Sequence, residues 1–279
     1  MPSILLALAL VIGGAIVLPV AFLVAESFQS PGGGPTTWAH YLEVLSSKYY
    51  LGSLGATLLF CSATAALATL LAIPGAQWMA KRRSGSSLLR MLCQANFAFS
   101  GVVYGMLVVT LLGNAGVVSL LEAWAFGTDF SRGYVYTTGG LAIGYLGFQT
   151  PRAALLLAQA LERVDPQLLA AARVLGATRA QRFLLVTLPQ IARPLLVTFL
   201  AIAMMSMASF GTALLVARTI DIFPLLIYRE FTGFGEINRA AAMGVILAIC
   251  CVALEVMARR ATGSSHVRTR IVKSSRISN

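Results

Sequence analysis

A chain of 279 residues with 58% hydrophobic and only 11% charged side chains cannot cover itself as a water-soluble globule, which carries about 25% charged residues. Its mean hydropathy of +0.81 puts it among polytopic membrane proteins. The net charge of +11 does not argue for nucleic acid, because the basic residues flank apolar spans and no basic face combines with exposed aromatics.

Crossing a bilayer takes about 20 residues of helix. Six segments qualify: Ile4–Val24, Leu51–Ala76, Leu88–Leu112, Thr138–Leu161, Ile191–Leu215 and Ala240–Val256. The first lacks a positive n-region and its apolar run is too long for a signal peptide, so it is expected to stay as a helix. "PGGGP" at Pro31–Pro35 reads as a flexible external linker. The third span is the least clean, since Arg90, Gln94 and Asn96 enter its first turns.

Basic residues concentrate on one side. Lys81, Arg82, Arg83 and Arg90 lie there, with Arg163, Arg173, Arg179, Arg182 and Arg193, and then the run from Arg259 to Arg276. The other side has only Lys48, Arg132, Arg218, Arg229 and Arg239. The rich side is expected to be cytoplasmic, with both termini inside. The Ser- and Arg-rich tail from Ala261 is expected to be mobile. Cys61, Cys93, Cys250 and Cys251 sit in apolar stretches, and His40 and His266 are far apart. Neither a metal site nor a disulfide framework follows, and no catalytic cluster is visible.

The fourth span, "GYLGFQTPRAALLLAQALERV", places Gln149, Thr150 and Arg152 at mid-membrane, and Pro151 frees a carbonyl. An arginine there costs about 2.5–3.5 kcal/mol, so it is expected to face a cavity or an acid of a partner. The competing reading is snorkelling to the inner interface, which roughly 15 Å of helix makes hard. The fifth span carries Met204, Met205, Ser206, Met207, Ser209 and Gly211. Such small and flexible residues suit a sliding helix, and equally ordinary membrane packing. The candidate solute path is Gln149, Arg152, Ser206 and Ser209.

Between these spans lies the segment Glu162–Gln190. Asp165 can cap a helix whose first residue is Pro166. Leu168, Ala171, Ala172 and Leu175 then fall on one helical face. Gly176 stands where a left-handed residue ends a helix. Thr178 and Gln181 have capping-box spacing, which predicts a second short helix over Arg179–Val186. Pro189 and Pro194 set the entry to the fifth span. The small run Ala170, Ala171 and Ala172 permits close approach of another surface. The competing reading is an amphipathic pair lying on lipid.

The stretch "DPQLLAAARVLGATRAQRFLLVTLPQIARP" resembles the cytoplasmic loop of inner-membrane permeases of binding-protein-dependent ATP-binding-cassette importers. Their pattern is E-A-A, three residues, G, about nine residues, an apolar residue, one more, and L-P. Here it falls on Ala170-Ala171-Ala172, Gly176, Val186 and Leu188-Pro189. The likeness extends over Leu51–Val256, including "FPLLIYREFTGFGEINRAAAM". The acid the family places at Ala170 is absent, which leaves packing and the turn to carry docking.

The resemblance implies an all-α protein of six transmembrane helices. A cytoplasmic coupling-helix loop, 162–190, joins the fourth and fifth. It divides the chain into a first helix and linker (1–50), a permease core (51–258) and a basic tail (259–279). It implies that Leu168, Ala170, Ala171, Ala172, Leu175, Gly176, Arg179 and Pro189 couple to a separate ATPase. The implied partners are two ATP-binding subunits holding ATP and Mg, a second permease subunit in a heterodimer, and an extracytoplasmic solute-binding protein. The implied location is the bacterial inner membrane, with lipid around the helices.

Lys48, Lys81 and Lys273 follow Ser47, Ala80 and Val272, so none can be a P-loop lysine. The chain is therefore expected to hydrolyse nothing itself. The branch it most resembles handles polyamines, ferric ion, thiamine or aminoethylphosphonate. Arg152 tilts the solute towards an anion, with polyamine the rival. An ion-coupled secondary transporter is the alternative class, but such proteins place acids within spans and show inverted repeats. Neither is seen in this sequence.

Overall fold

The computed structural model describes residues 2–30, 36–82, 84–128 and 132–263, and among them the elements are all helical. The Pro31–Pro35 linker and the basic tail beyond Gly263 lie outside the described residues. Helices are what lipid demands of an open chain, since they satisfy their own backbone groups. Four stretches of the described residues are long and apolar enough to cross a membrane: Lys48–Ala80, Gly101–Phe126, Arg179–Met207 and Ile237–Arg260. α1 (Pro2–Ser27) and α7 (Thr138–Leu161) add helices of 26 and 24 residues. At the α-helical rise, a helix of α7's length extends about 36 Å, enough for a core about 30 Å thick. The protein is an all-α polytopic membrane protein.

One compact unit comprises 1–57 and 221–251. It holds α1, α2 (Ala39–Ser46), the first turns of α3 (Lys48–Ala80), α12 (Phe223–Arg229), a π turn at Glu230–Phe234, and α13 (Ile237–Gly263) as far as residue 251. Val44, Phe223, Leu226 and Met243 form its core. Glu230 is buried and accepts hydrogen bonds from the Tyr50 hydroxyl at 2.6 Å and Arg239 at 3.2 Å. Arg239 also pairs with Glu43 at 3.0 Å. The Thr57 hydroxyl oxygen accepts the N–H of Phe223 at 2.8 Å, which satisfies one loose donor at the start of α12.

The other unit comprises 58–220 and the chain from 252. It contains the rest of α3, then α4 (Ser86–Ala95), α5 (Gly101–Leu112), α6 (Val117–Phe126), α7, α8 (Pro166–Val174), α9 (Arg179–Gln181), α10 (Leu188–Met207) and α11 (Phe210–Val216). Its core is built around the alanine stripe Ala65, Ala68, Ala72 and Ala76, which packs with Ala153, Leu157 and Ile202. Small side chains at helical spacing let the backbones approach closely.

Three spans differ from the sequence expectation. The third is broken. α4 stops at Ala95, a 3₁₀ turn covers Asn96–Ala98, and α5 starts afresh with Ser100 capping Val103 N–H at 3.3 Å. Among the polar residues that enter this segment, Arg90 on α4 pairs with Glu162 just past α7. The stretch between the third and fourth expected spans contains the apolar helix α6.

The fifth span starts earlier and ends earlier. Arg179–Thr187 is not a separate helix but the first turns of the run Arg179–Met207, passing through a π turn at Arg182–Thr187. The wider π turn lies directly before Leu188-Pro189, where the proline ring and its missing N–H would disturb regular α bonding. The span then breaks at Ala208–Ser209 before α11. The last helix, α13, runs well beyond Val256.

Candidate functional site

The loop after α7 is folded by its own sequence. Asp165 accepts the Gln167 N–H at 2.8 Å and Pro166 opens α8. The helix ends on Gly176 at φ +78°, a conformation that costs a β-carbon residue strain. There Gly176 N–H reaches the Arg173 carbonyl and Ala177 N–H the Ala172 carbonyl, both at 3.0 Å, which is the Schellman pattern. The capping box forms as the spacing predicts, with Thr178 N–H to Gln181 Oε1 at 2.8 Å and Gln181 N–H to Thr178 Oγ1 at 3.3 Å.

This folded loop carries large apolar groups on its outside, among charged ones. Leu168, Ala170, Ala171, Leu175, Arg179 and Pro189 are exposed, and Ala172 is half-buried. Val174 and Leu175 expose 87% and 86% of their surface. Covering two such side chains is worth about 3–6 kcal/mol. The structure therefore presents a rigid helix end whose largest apolar groups have nothing over them within this unit. Val174 was not singled out by the sequence pattern, because it falls off the Leu168–Leu175 stripe. Its signal is position, next to the helix-ending Leu175-Gly176 pair.

The second candidate region is the middle of α7. Arg152 is 7% exposed and held within the chain. Its Nη1 donates to Asn96 Oδ1 at 3.0 Å and to the Phe148 carbonyl at 2.6 Å, and Nη2 donates to the Asn96 carbonyl at 3.4 Å. The guanidinium also stacks on the rings of Phe148 and Phe97, at 3.6 and 4.7 Å from their centroids. Such contacts stabilise a desolvated cation by about 2 kcal/mol. Two turns earlier, the buried Tyr145 hydroxyl donates to the Ser209 carbonyl at 2.7 Å. So α7 reaches both neighbouring breaks: Arg152 serves the one at Asn96 and Tyr145 the one at Ser209. Broken helices persist at membrane depth only where such groups are satisfied again.

At these breaks α5 and α11 touch backbone to backbone. Thr212 Oγ1 donates to the Gly101 carbonyl at 2.9 Å. A β-carbon added at Gly211 would run into the main chain of Val102. Gln149 and Ser206 are fully buried, and the Gln149 amide atoms and Ser206 hydroxyl have no hydrogen-bond partner among the described residues. Buried polar atoms left open carry a cost of about 1–3 kcal/mol each, which water or a passing polar solute can offset. Tyr145 and Asn96 were not named as site residues from the sequence. A buried tyrosine needs a hydroxyl partner, but nothing local says which carbonyl supplies it.

The comparisons with known proteins bear on the family and the fold. A family model described as "Binding-protein-dependent transport system inner membrane component" matches residues 68–261. The sulfate transport system permease protein CysW of Synechocystis sp. is 26% identical over 222 residues, 78% of each chain. The sulfate transport system permease protein CysT of Escherichia coli is 27% identical over 239 residues, 84% of this chain and 82% of that one. A chain from the crystal structure of a bacterial alginate ABC transporter, in complex with an alginate pentasaccharide-bound periplasmic protein, superposes with a TM-score of 0.72. That likeness covers 91% of both chains at 19% identity and speaks for the fold alone. Of the branch that the sequence resembled, the ferric-ion member has a counterpart: the putative ferric transport system permease protein FbpB 1 of Haemophilus influenzae is 28% identical over 157 residues, 56% of this chain and 24% of that one. These relatives do not support the polyamine and phosphonate part.

Proposed function

We propose that this chain, which belongs to the family of binding-protein-dependent transport system inner membrane components, forms one half of a solute path and couples it to a separate ATPase. The observation that carries the reading is the loop 165–187. It is a capped helix, α8, that turns at Gly176 into the capped start of the next long helix, with Val174 and Leu175 turned outward. An ATPase groove would receive Leu168, Ala170, Ala171, Ala172 and Leu175, with Gly176 fixing the turn and Arg179 and Pro189 at its base. ATP and Mg belong to that partner.

The rest of the assembly belongs to the same proposal. Two ATP-binding subunits, a second six-span permease and an extracytoplasmic solute-binding protein complete it, with both termini of this chain in the cytoplasm. Closure of the ATPase pair pushes on α8, and the helices open to the outside to receive solute. Gln149, Ser206, Ser209 and Arg152 border the path. The first two offer open polar atoms, while Arg152 and the Ser209 carbonyl hold its walls.

The solute is small and polar, and an anion fits best. Arg152 has no carboxylate partner among the described residues, and two of the permease relatives are named for sulfate. The ion-coupled alternative has no comparable support.

The test is a mild-detergent pull-down of the tagged chain from its native membrane, beside Gly176→Val. An ATPase and a second permease should co-purify, and the variant should lose only the ATPase. A wild-type chain that brings down no ATPase even after crosslinking would overturn the coupling reading. Solute uptake that is unchanged in Gln149→Leu and Ser206→Val, at normal membrane levels, would remove those two residues from the path.

A further inference from the structure

At the arginine-rich end of the membrane part, α7 and α10 part to leave a cleft of about 320 Å³. Leu156, Gln159 and Arg163 line it on the α7 side, and Gln190, Val197 and Ala201 on the α10 side. Both sets repeat at helical spacing, so each is one continuous stripe. The cleft is graded. Leu156, Val197 and Ala201 form apolar walls towards the membrane middle, and Gln159, Arg163 and Gln190 form a polar mouth. From Arg163 back to Leu156 the helix rises about 10 Å.

The charges at the mouth are unevenly satisfied. Glu162, the neighbouring acid, is already paired with Arg90. The Gln190 amide donates to the Val186 carbonyl at 3.0 Å. The guanidinium of Arg163 is exposed and engaged by no carboxylate among the described residues. Gln159 is likewise exposed with its donors open. Arg193 flanks the α10 stripe, about 60° around the helix from Gln190, and is also unpaired and exposed.

We propose that this cleft is a binding site for an anionic phospholipid of the cytoplasmic leaflet. One acyl chain lies along Leu156, Val197 and Ala201, and the phosphate is held by Arg163 and Gln159, with Arg193 beside it. The chemistry matches at both ends. An apolar slot opening at the interface takes a hydrocarbon chain, and basic groups between membrane helices on the cytoplasmic side take anionic headgroups. A bound lipid here would wedge the base of α7 against α10, the two helices joined by the exposed loop.

The test uses the full chain, delipidated in detergent. Native mass spectrometry would follow its titration with phosphatidylglycerol and with phosphatidylcholine of the same acyl chains. The wild type should hold one phosphatidylglycerol in preference to phosphatidylcholine. Arg163→Gln should weaken that binding by about fivefold and leave phosphatidylcholine unchanged. Val197→Trp, which fills the slot and keeps the arginine, should lose both lipids. Arg173→Gln on α8, away from the cleft, should bind as wild type. Equal affinity for the two lipids, or full binding in Arg163→Gln, overturns the proposal. So does a crosslink from a Gln159→Cys variant of the intact assembly into a second permease subunit. None of these readouts requires the ATPase, so the coupling reading and the lipid site fail separately.

Discussion

The segment Asp165–Thr187 and the breaks at Asn96–Ser100 and Ala208–Ser209 both interrupt helices, yet they satisfy their loose backbone groups in opposite ways. In the loop every cap is local. Asp165, Thr178 and Gln181 bond within three residues, and Gly176 turns the chain with no neighbour near it. At the breaks the local cap of Ser100 is joined by partners from far along the chain. Arg152 reaches Asn96 across 56 residues, Tyr145 reaches Ser209 across 64, and Thr212 reaches Gly101 across 111. A segment in water can finish itself and keep its apolar side chains outward for a partner. A break inside lipid has no water to fall back on, so it must be finished by a neighbouring helix. The consequence is that the loop can be altered without disturbing the membrane part, whereas the breaks cannot be altered alone.

That contrast can be broken by substitution. The largest loss of stability is expected for Gly211→Val. Its side chain would have to enter the α5 backbone at Val102, at a cost of about 3 kcal/mol. It should be read as a collapse of monodisperse protein on size exclusion. Asn96→Ala comes next. It takes the side-chain acceptor from a buried guanidinium, and a hydrogen bond to a charged group is worth about 1.5–3 kcal/mol. A thermal unfolding scan should show the drop, and a transition equal to wild type would mean that the aromatic rings and the Phe148 and residue-96 carbonyls suffice to hold Arg152.

Tyr145→Phe orphans the Ser209 carbonyl and keeps the ring packed against Phe60. A loss of about 1–2 kcal/mol is expected, together with faster amide exchange at the start of α11. The smallest effect on stability belongs to Leu175→Asp. At 86% exposure it should change the free chain by no more than about 0.5 kcal/mol, while abolishing co-purification of an ATPase. If Leu175→Asp destabilised the chain as strongly as Asn96→Ala, the loop could not be an independent docking element.

The same contrast explains what could be read in advance. The loop was legible because its signals are one-dimensional: a capping Asp before Pro166, a Gly at the helix end, and Thr and Gln three apart. Three of the six spans, the first, second and fourth, could be placed within a few residues from hydropathy. The break in the third span was not placed, although Arg90, Gln94 and Asn96 marked the segment as unusual. Hydropathy averages over the turn where the helix stops, and the partners that permit the stop lie on α7. Arg152 was singled out as costly and expected to face a cavity or a partner's acid, and it is held within the chain instead. Its solution, two aromatic faces and one asparagine on a neighbouring element, is a tertiary fact. The separate second helix of the loop was expected because Pro189 reads as a boundary. A π turn before it lets the helix pass through instead.

That π turn, Arg182–Thr187, has a mechanical meaning of its own. A π turn carries one residue more than the α-helix it interrupts. Drawn back into α geometry, the extra residue would advance the remainder of α10 by about 1.5 Å and rotate it by about 100°. The turn sits between the loop and the face of α10 that carries Ser206. In a helix that made that change, a small axial push at one end would become rotation at the other, as in a screw thread, without a hinge.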